Sequence, residues 1–384
     1  MATENQSRKI RIGVVFGGRS GEHEVSVMSA RSIIGSLNPD KYDVVPLAIT
    51  RDGQWLAPSG ARRALQAGVA EAAVLALAGS SRPSEDEPSE ALAICPGRDD
   101  GAVMSLSAQQ LPKLDVVFPV IHGTYGEDGT LQGLLEMANV PYVGAGVSGS
   151  AVGMDKALMK SIWASHQLPQ PQWCSIFRYQ VESDLEATVE QLLKHPGLPC
   201  FVKPANLGSS VGISKARTVD ELRAALHTAA AYDRKLVIEG SIEKPREIEV
   251  AVLGNDHPEV SIPGEIIHGR EFYDYTGKYF ETEGQQTIIP ADIPPETVAE
   301  VQRLAILGYK ALDLNGLARV DFLMDQQGKL FLNEVNTMPG FTPASMYGRL
   351  WAGSGLPYPQ LLDRLIELGL ERFQDRQRNQ VRPT

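Results

Sequence analysis

The stretch Arg319-Val-Asp321-Phe-Leu-Met-Asp-Gln-Gln-Gly-Lys-Leu-Phe-Leu-Asn-Glu334-Val-Asn336 predicts two strands joined by a polar turn. Side chains in a strand alternate between its two faces, so Arg319 and Asp321 share one face, as Glu334 and Asn336 do. Folding the hairpin about its turn brings Asp321 roughly opposite Glu334. Such hard oxygen ligands suit Mg²⁺, which is also held by substrate phosphates. A merely solvated hairpin face is the alternative, and the phosphate-binding elements upstream make it the weaker one.

The overall composition limits the class of protein. The chain has 384 residues, more than one ordinary core accommodates, which predicts two or three domains. A net charge of −11 argues against nucleic-acid and anionic-membrane partners, although an ATP site needs only a few local cations. The three cysteines (Cys95, Cys174 and Cys200) are widely spaced, which favours a reducing compartment. No apolar run approaches a membrane span and no signal peptide is evident, so we expect a cytoplasmic protein.

Strand and helix patterns alternate along the first third of the chain, which predicts an α/β layer with a parallel sheet. The segment at about 57–110 is Ala-rich and then acidic, and it reads as an insertion with a solvated loop. Predicted strands lie at 9–16, 42–49, 116–121, 200–203, 236–239, 247–253 and 259–263. Predicted helices lie at 25–37, 129–138, 151–167, 184–194, 296–312 and 358–373, with a capping box opening another at Thr218.

A glycine-rich loop, Gly208-Ser-Ser-Val-Gly212, follows Lys203 at the end of a predicted strand. Glycines let backbone N–H groups approach an anion, and serine hydroxyls add donors. The spacing is not that of a Walker A motif, but it matches the Gly-x-Ser-x-Gly elbow of the α/β-hydrolases. That elbow needs a helix directly after its serine. Here the next residues predict a strand, and the following helix begins only at Thr218. We therefore favour phosphate binding over a nucleophile at Ser210.

Two more turns follow predicted strands. The first, Gly17-Gly-Arg-Ser-Gly-Glu22, opens a helix, but its spacing is not Gly-x-Gly-x-x-Gly and Glu22 would repel a pyrophosphate. A carboxylate there suits an ammonium group, although taken alone it also fits a favourable charge in a first helical turn. The second turn begins at His122, where open α/β sheets place ligands. A lone histidine is more often structural, so His122 is the weaker candidate for substrate contact.

Seven segments, in order along the chain, together resemble the D-alanine–D-alanine ligases of the ATP-grasp superfamily. They include His122-Gly-Thr-Tyr-Gly-Glu-Asp-Gly129 and Asn333-Glu-Val-Asn-Thr-Met-Pro-Gly340. The full set lies at 16–26, 122–133, 153–156, 202–212, 272–279, 319–322 and 333–346. The sequence departs from the family pattern at Gly348, where the family often has Pro, and in the insertion.

The resemblance implies an α/β protein of three-domain ATP-grasp architecture. An N-terminal parallel α/β domain (1–147), with the insertion at about 57–110, would bind the first D-alanine. ATP would lie between a central subdomain (148–242) and a C-terminal α+β domain (243–384). The C-terminal domain would carry the metal hairpin (319–336) and a lid loop (268–284) that excludes water.

The resemblance also implies the cofactors. These are ATP and two Mg²⁺ or Mn²⁺ ions, and a monovalent-cation requirement is left open. The lysines would hold the phosphates, Glu239 would lie near the adenine and Glu247 would bind the ribose. The implied nucleotide site comprises Lys156, Lys203, Ser210, Glu239, Glu247 and Lys278. The implied metal ligands are Asp321, Glu334 and Asn336.

The family's reaction begins with phosphoryl transfer from ATP to the carboxylate of the first D-alanine. The amine of the second D-alanine then attacks the acyl phosphate, and positioning and charge stabilisation dominate such chemistry. By resemblance, Glu22 would pair with the first ammonium, and Arg319 would stabilise the oxyanion of the tetrahedral intermediate. Tyr279 would join Ser209 and Glu22 in a hydrogen-bond network, and His122 would contact substrate. The second carboxylate would be held by Gly340, Ser345 and Met346.

Alternatives remain within and outside the family. Related ligases that use D-lactate tend to replace the tyrosine at the position of Tyr279, so its presence favours D-alanine as acceptor. A D-alanine–D-lactate or D-alanine–D-serine ligase is the nearest alternative. A non-catalytic ATP-binding regulator is a distant one, which the intact Arg319 and metal ligands disfavour. The expected partners are small molecules and a second copy of the chain, with no nucleic acid and no membrane.

Overall fold

The structure, a computed structural model, describes residues 8–56, 58–66, 92–94, 103–105, 113–268 and 285–380. The predicted lid therefore lies outside the described residues, except for the backbone of His268, and so do Lys278, Tyr279 and Cys95. Most of the predicted insertion lies outside them as well. Its described parts are a helix at Pro58–Gln66 and an antiparallel pair of strands, Leu92–Ile94 with Val103–Ser105.

A four-stranded sheet begins the fold and confirms the predicted parallel α/β layer. The elements of this part are β1 (Ile10–Gly17), α1 (His23–Ser36), β2 (Tyr42–Ile49), β3 (Trp55–Leu56), α2 (Pro58–Gln66), β4 (Leu92–Ile94), β5 (Val103–Ser105), β6 (Val116–Pro119) and α3 (Thr130–Met137). The strand order is β3-β2-β1-β6, with β1 parallel to both β2 and β6. The apolar run of β1 is buried almost throughout, as expected for a parallel strand covered on both faces.

Strand β1 ends in a turn that requires glycine. Gly17 and Gly18 have φ angles of 88° and 94°, in the left-handed region. A Cβ on Gly17 would lie 2.2 Å from the carbonyl oxygen of Ile49. Because the chain reverses here, Glu22 lies at the carboxyl edge of the sheet, directly before α1 begins at His23.

The second sheet is antiparallel. The elements of this part are α4 (Val147–Met154), α5 (Lys156–Ser165), β7 (Trp173–Phe177), α6 (Arg178–Ser183), α7 (Leu185–Lys194), β8 (Cys200–Pro204), β9 (Ser214–Ala216), α8 (Val219–Tyr232) and β10 (Lys235–Gly240). The strand order is β7-β10-β8-β9, and each neighbouring pair is antiparallel. The residues after Ser210 enter β9 and not a helix, so the hydrolase elbow is not formed.

Local capping explains where the helices of this part begin. The prediction of one continuous helix over 151–167 is wrong, because the chain breaks at Asp155 into α4 and α5. The Asp155 side chain accepts hydrogen bonds from the backbone N–H groups of Ala157 and Leu158, each at 3.0 Å, which satisfies two donors at the start of α5. The capping box predicted at Thr218 is confirmed and opens α8.

The third sheet carries the predicted metal hairpin. The elements of this part are β11 (Arg246–Leu253), β12 (Glu259–Val260), β13 (Gly264–His268), β14 (Gln285–Ile288), α9 (Pro295–Ala311), β15 (Leu317–Met324), β16 (Leu330–Asn336), α10 (Met346–Gly353) and α11 (Tyr358–Arg376). The strand order is β14-β13-β11-β15-β16, and β12 also pairs with β11. The strand predicted at 259–263 is shorter than expected, and α10 was not predicted.

The register of the hairpin confirms the predicted pairing. Asp321 on β15 pairs with Glu334 on β16, and Arg319 pairs with Asn336. The ladder then shifts by one residue between Asp321 and Phe322, which leaves Asn333 as a bulge. The alternation of the sequence is thus sufficient for the pairing but contains no sign of the bulge.

An apolar core joins the C-terminal helices to the first sheet. Phe341 packs edge-on against Phe118 with ring centroids 5.6 Å apart, and the Tyr358 hydroxyl donates to the Phe341 carbonyl oxygen at 2.9 Å. The segment after β16 is therefore held against the carboxyl edge of the first sheet. Across the residues that the structure describes, no helix combines the length and apolarity needed to cross a membrane.

Candidate active site

Glu22 and Ser209 are in contact although 187 residues separate them in the sequence. The Ser209 hydroxyl donates a hydrogen bond to Glu22 Oε1. Two glycines make room for the carboxylate: a Cβ on Gly123 would lie 2.6 Å from Glu22 Oε2, and one on Gly208 would lie 3.2 Å from it. Ser209 and Ser210 have φ angles of 52° and 59°, a conformation that is uncommon outside glycine and recurs at functional sites. The structure therefore brings together glycine-rich loops that the sequence places far apart.

A buried cluster of charges surrounds Glu239. The Nζ atoms of Lys160 and Lys203 both form ion pairs with its carboxylate. Glu239 is 2% exposed and Lys160 is fully buried. Burial alone would raise the pKa of Glu239, but the two ammonium groups outweigh it and lower that pKa to about 2. The structure thus places Glu239, predicted near the adenine, against Lys203, which is one of the predicted phosphate lysines.

The bulge in the hairpin connects this cluster to the metal hairpin. Lys160 Nζ lies 3.4 Å from the Asn333 carbonyl oxygen, to which it donates, and Lys203 Nζ lies 3.5 Å from Asn333 Oδ1. A bulge redirects a side chain that would otherwise follow the strand alternation. Asn333 therefore faces the lysines while Glu334 keeps its pairing with Asp321.

Arg319 and Asp321 form a tight pair on β15. Arg319 Nε donates to Asp321 Oδ1 and Nη2 donates to Oδ2, each at 2.7 Å. Asn336 Nδ2 donates to the same Oδ2 at 2.9 Å. Burial alone would lower the pKa of Arg319, but the carboxylates of Asp321 and Glu249 outweigh it and raise that pKa. The guanidinium is therefore cationic at neutral pH.

The oxygen-rich hairpin fits a magnesium ion delivered with a nucleotide. Its donors are the carboxylates of Asp321 and Glu334 and the carboxamide of Asn336, and Lys156 Nζ lies 3.8 Å from Glu334 Oε2. Among the described residues, no cluster of three or more His, Cys, Asp or Glu side chains forms a ready-made metal site. Mg²⁺ is usually held by one or two carboxylates together with substrate phosphates and not by an all-protein cage. The donor set agrees with that mode of binding.

The loop that begins at His122 is joined to the segment after β16. His122 Nδ1 donates to the Met338 carbonyl oxygen at 2.9 Å, and the Ser29 hydroxyl lies 3.0 Å from Nε2. Burial lowers the pKa of His122, which favours the neutral ring. The Glu127 carboxylate accepts from the N–H groups of Gly123 and Met338 at 2.9 and 2.8 Å. These contacts hold His122 beside Glu22.

The three residues predicted to hold the second carboxylate lie together. Ser345 Oγ accepts from the Thr342 N–H at 3.0 Å, and a Cβ on Gly340 would lie 2.8 Å from that oxygen. Met346 opens α10 and its side chain is buried. Its backbone N–H lies in the first turn of α10, where N–H groups lack intrahelical acceptors.

Sequence reasoning missed three buried or half-buried residues of this region, namely Lys160, Glu127 and Glu249. Lys160 lies four residues after Lys156, a spacing that places both on one face of α5. Glu249 follows Glu247 by two residues and shares its face of β11. Glu247 itself lies close enough to contribute to the raised pKa of Lys203. The spacing was therefore a usable signal in both cases.

Two family models match the chain, and together they cover most of it. The model described as D-ala D-ala ligase N-terminus matches residues 11–145, and the model described as D-ala D-ala ligase C-terminus matches residues 162–367. Among curated relatives, a D-alanine–D-alanine ligase of Geobacillus thermodenitrificans is 47% identical over 372 residues, covering 96% of this chain and 98% of the relative. A second, from Thermoanaerobacter sp., is 49% identical over 366 residues, covering 94% and 97%.

Solved structures agree with the sequence relatives. The D-alanine–D-alanine ligase from Coxiella burnetii superposes with a TM-score of 0.80 at 37% identity, covering 97% of each chain. The VanG D-Ala:D-Ser ligase from Enterococcus faecalis superposes with a TM-score of 0.79 at 33% identity, covering 94% of this chain and 100% of its own. These likenesses confirm the predicted α/β fold of ATP-grasp type. The chain therefore belongs to the D-alanine–D-alanine ligase family.

Proposed function

We propose that the protein joins two D-alanine molecules to D-alanyl-D-alanine in an ATP-dependent reaction that supplies peptidoglycan precursor. The observation that carries the proposal is that Lys156 joins the glycine-rich loop to the metal hairpin in a chain of this family. Its Nζ donates to the Leu207 carbonyl oxygen at 2.7 Å, two residues before the Ser209 that contacts Glu22, and lies 3.8 Å from Glu334 Oε2. The carboxylates of the metal hairpin, which lie beside lysines, suit the metal and phosphates of MgATP. The Glu22 carboxylate suits an ammonium group. This combination matches an amino-acid substrate that must be activated by phosphorylation.

The nucleotide would lie between the second and third sheets. Lys156, Lys203 and Lys278 would hold the phosphates, with Ser210 as a further donor. Glu247 would bind the ribose and Glu239 would lie near the adenine. Asp321, Glu334 and Asn336 would hold two Mg²⁺ or Mn²⁺ ions, which neutralise phosphate charge when bound.

Substrate would be held from the opposite side by the first sheet. Glu22 would accept a hydrogen bond from the ammonium of the first D-alanine. Ser209 and Tyr279 would hold the Glu22 carboxylate in place by hydrogen bonds, and His122 would contact the substrate. One carboxylate oxygen of that D-alanine attacks the γ-phosphorus, and ADP leaves with the electron pair of the broken P–O bond. The amine of the second D-alanine then attacks the acyl carbon, loses a proton and expels phosphate.

Arg319 would face the oxyanion that develops in this second step, where a preorganised cation stabilises negative charge. Gly340, Ser345 and the Met346 N–H would hold the carboxylate of the second D-alanine. The lid at 268–284 would exclude water from the acyl phosphate, which is readily hydrolysed.

The remaining proposals concern organisation. We divide the chain into an N-terminal domain (1–147), a central subdomain (148–242) and a C-terminal domain (243–384), which follows the three sheets. A homodimer and a cytoplasmic location are proposed as well, the latter because the reaction consumes ATP and the cysteines are widely spaced. A monovalent-cation requirement is left to experiment.

The test is phosphate release from MgATP with D-alanine, with L-alanine, and with D-alanine plus D-lactate or D-serine, the product being identified by mass. D-alanine-dependent release that yields the dipeptide supports the proposal. A depsipeptide or a D-Ala-D-Ser product would move the assignment to a sister ligase. ATP binding without turnover would leave the fold assignment intact and refute the catalytic role.

A matched pair of variants tests the substrate site. Glu22→Gln removes the charge opposite the ammonium, and a charge-assisted hydrogen bond of this kind corresponds to about 10–100-fold in kcat/KM for D-alanine. Glu24→Gln is the control, because Glu24 lies two residues after Glu22, in the first turn of α1, but pairs with Arg51. Equal losses in both variants would contradict the assignment of Glu22.

A further inference from the structure

Arg319 lies between carboxylates on two neighbouring strands. Glu249 on β11 pairs in register with Asp321 on β15, so the two side chains flank the guanidinium. Arg319 Nε is 2.7 Å from Asp321 Oδ1 and 3.0 Å from Glu249 Oε2. The side-chain exposures are 20% for Arg319, 11% for Asp321 and 8% for Glu249. The three charges therefore interact with little screening by water.

Under the proposed function, Asp321 pairs with Arg319 and also binds a metal ion. Both of its oxygens accept from Arg319 in this structure, and Oδ2 accepts from Asn336 as well. As a metal ligand it must instead direct lone pairs at a divalent cation, which repels the neighbouring guanidinium. Arg319 therefore needs a second anionic partner if it is to stay buried and in place while the metal is bound.

We propose that Glu249 is that partner, a positioning residue that holds Arg319 when Asp321 turns to the metal. The inference rests on the proposed roles of Arg319 and Asp321. The single hydrogen on Nε is donated to Asp321 here, and a small rotation of the guanidinium redirects it to Glu249 Oε2 at 3.0 Å. The remaining N–H groups of the guanidinium then stay available for the developing oxyanion.

The placement of Glu249 argues against a purely structural role. A carboxylate on a buried strand face is costly unless it is paired, and apolar side chains of similar volume are often at least as stabilising there. The next residue of β11 on the same face, Ala251, is fully buried and apolar. The charged residue lies where β11 passes the metal hairpin.

Binding of Mn²⁺, followed by electron paramagnetic resonance with a non-hydrolysable ATP analogue, tests the inference without turnover. In Glu249→Gln, Arg319 loses the carboxylate that is not a proposed metal ligand, and it then competes with the metal for Asp321. We expect Mn²⁺ binding to weaken about tenfold. In the Arg319→Gln background, Glu249→Gln should have no further effect, because the competing guanidinium is gone. If Glu249→Gln does not fold, Glu249→Asp is the second variant. Its side chain is one methylene shorter, which moves the carboxylate away from Arg319, and we expect Mn²⁺ binding to weaken by a smaller factor.

The matched control is Glu265→Gln. Glu265 forms a bidentate pair with Arg246 at 2.7 Å, is similarly buried and lies in the same sheet, but it does not contact Asp321. The Glu265→Gln variant should have a lower free energy of unfolding and unchanged Mn²⁺ binding. Unchanged Mn²⁺ binding in Glu249→Gln would overturn the inference.

An equal loss of Mn²⁺ binding with and without Arg319 would overturn it too, since Glu249 would then act on the metal directly. Wild-type protein that neither binds Mn²⁺ with nucleotide nor shows D-alanine-dependent phosphate release would refute the proposed function itself, and this inference with it. Wild-type binding and turnover with no effect of Glu249→Gln would refute this inference alone.

Discussion

Replacing Lys160 with methionine tests the buried charge cluster around Glu239. Lys160 is fully buried and its ammonium is one of two that hold the Glu239 carboxylate. The pKa of Glu239 falls from 4.5 to about 2, a shift worth roughly 3 kcal/mol of stability at neutral pH. Removing one partner of a buried ion pair costs about 3–5 kcal/mol. Lys203 still contacts Glu239, and burial lowers the pKa of the Lys160 ammonium, so its desolvation offsets part of the gain from the ion pair. We therefore expect a loss at the lower end of that range, about 3 kcal/mol at pH 7.

The pH dependence makes this prediction specific. A carboxylate whose pKa is lower in the folded state stabilises the protein above its unfolded pKa, and the contribution disappears as the pH falls through the folded pKa. The difference in unfolding free energy between wild type and Lys160→Met should therefore be largest above about pH 5 and shrink from pH 4.5 toward 2. Urea unfolding at a series of pH values measures it.

The controls separate charge from bulk. Lys194→Met, at the exposed end of α7, should change the unfolding free energy by less than about 0.5 kcal/mol. Adding Glu239→Gln to Lys160→Met removes a buried carboxylate that has lost one of its two ammonium partners, and it should recover part of the loss. A loss below about 1 kcal/mol at pH 7, or one that does not depend on pH, would refute the argument that the ammonium stabilises Glu239.

Three further predictions concern the loops and caps. Burial is the chief cause that raises the pKa of Glu127 to about 7, so the folded state favours its protonated form. As the pH rises from 4.5 to 7, the unfolding free energy of wild type should therefore fall by up to roughly 3 kcal/mol relative to that of Glu127→Gln, as measured by urea unfolding. Gly126→Ala should cost about 1–3 kcal/mol, since its Cβ would lie 2.1 Å from the Ile121 carbonyl oxygen, whereas Gly133→Ala, with nothing within 4 Å, should not destabilise. Thr218→Ala removes a capping box and should cost about 1 kcal/mol in thermal unfolding.

Periodicity and turn chemistry accounted for most strands and helices. The predicted strand at 42–49 matches β2, and the helix predicted at 184–194 is α7, with Asp184 as its cap. The failures lie where a single side chain overrides a pattern. Asp155 divides an apolar run that reads as one helix, and α10 is too short for its pattern to stand out from the surrounding loop.

The sequence alone determined the α/β class and the pairing of Asp321 with Glu334, because strand alternation and turn residues act over a few positions. It also determined the family resemblance, which rests on short segments in order along the chain. Only the tertiary structure decided which distant groups meet. Glu22 contacts Ser209 across 187 residues, and His122 contacts Met338 across 216. Local propensity carries no information about contacts at such separations, which depend on how the three sheets pack. The partners of Arg319 and Glu239 were undetermined for the same reason, since Glu249 and Lys160 reach them from other strands and helices.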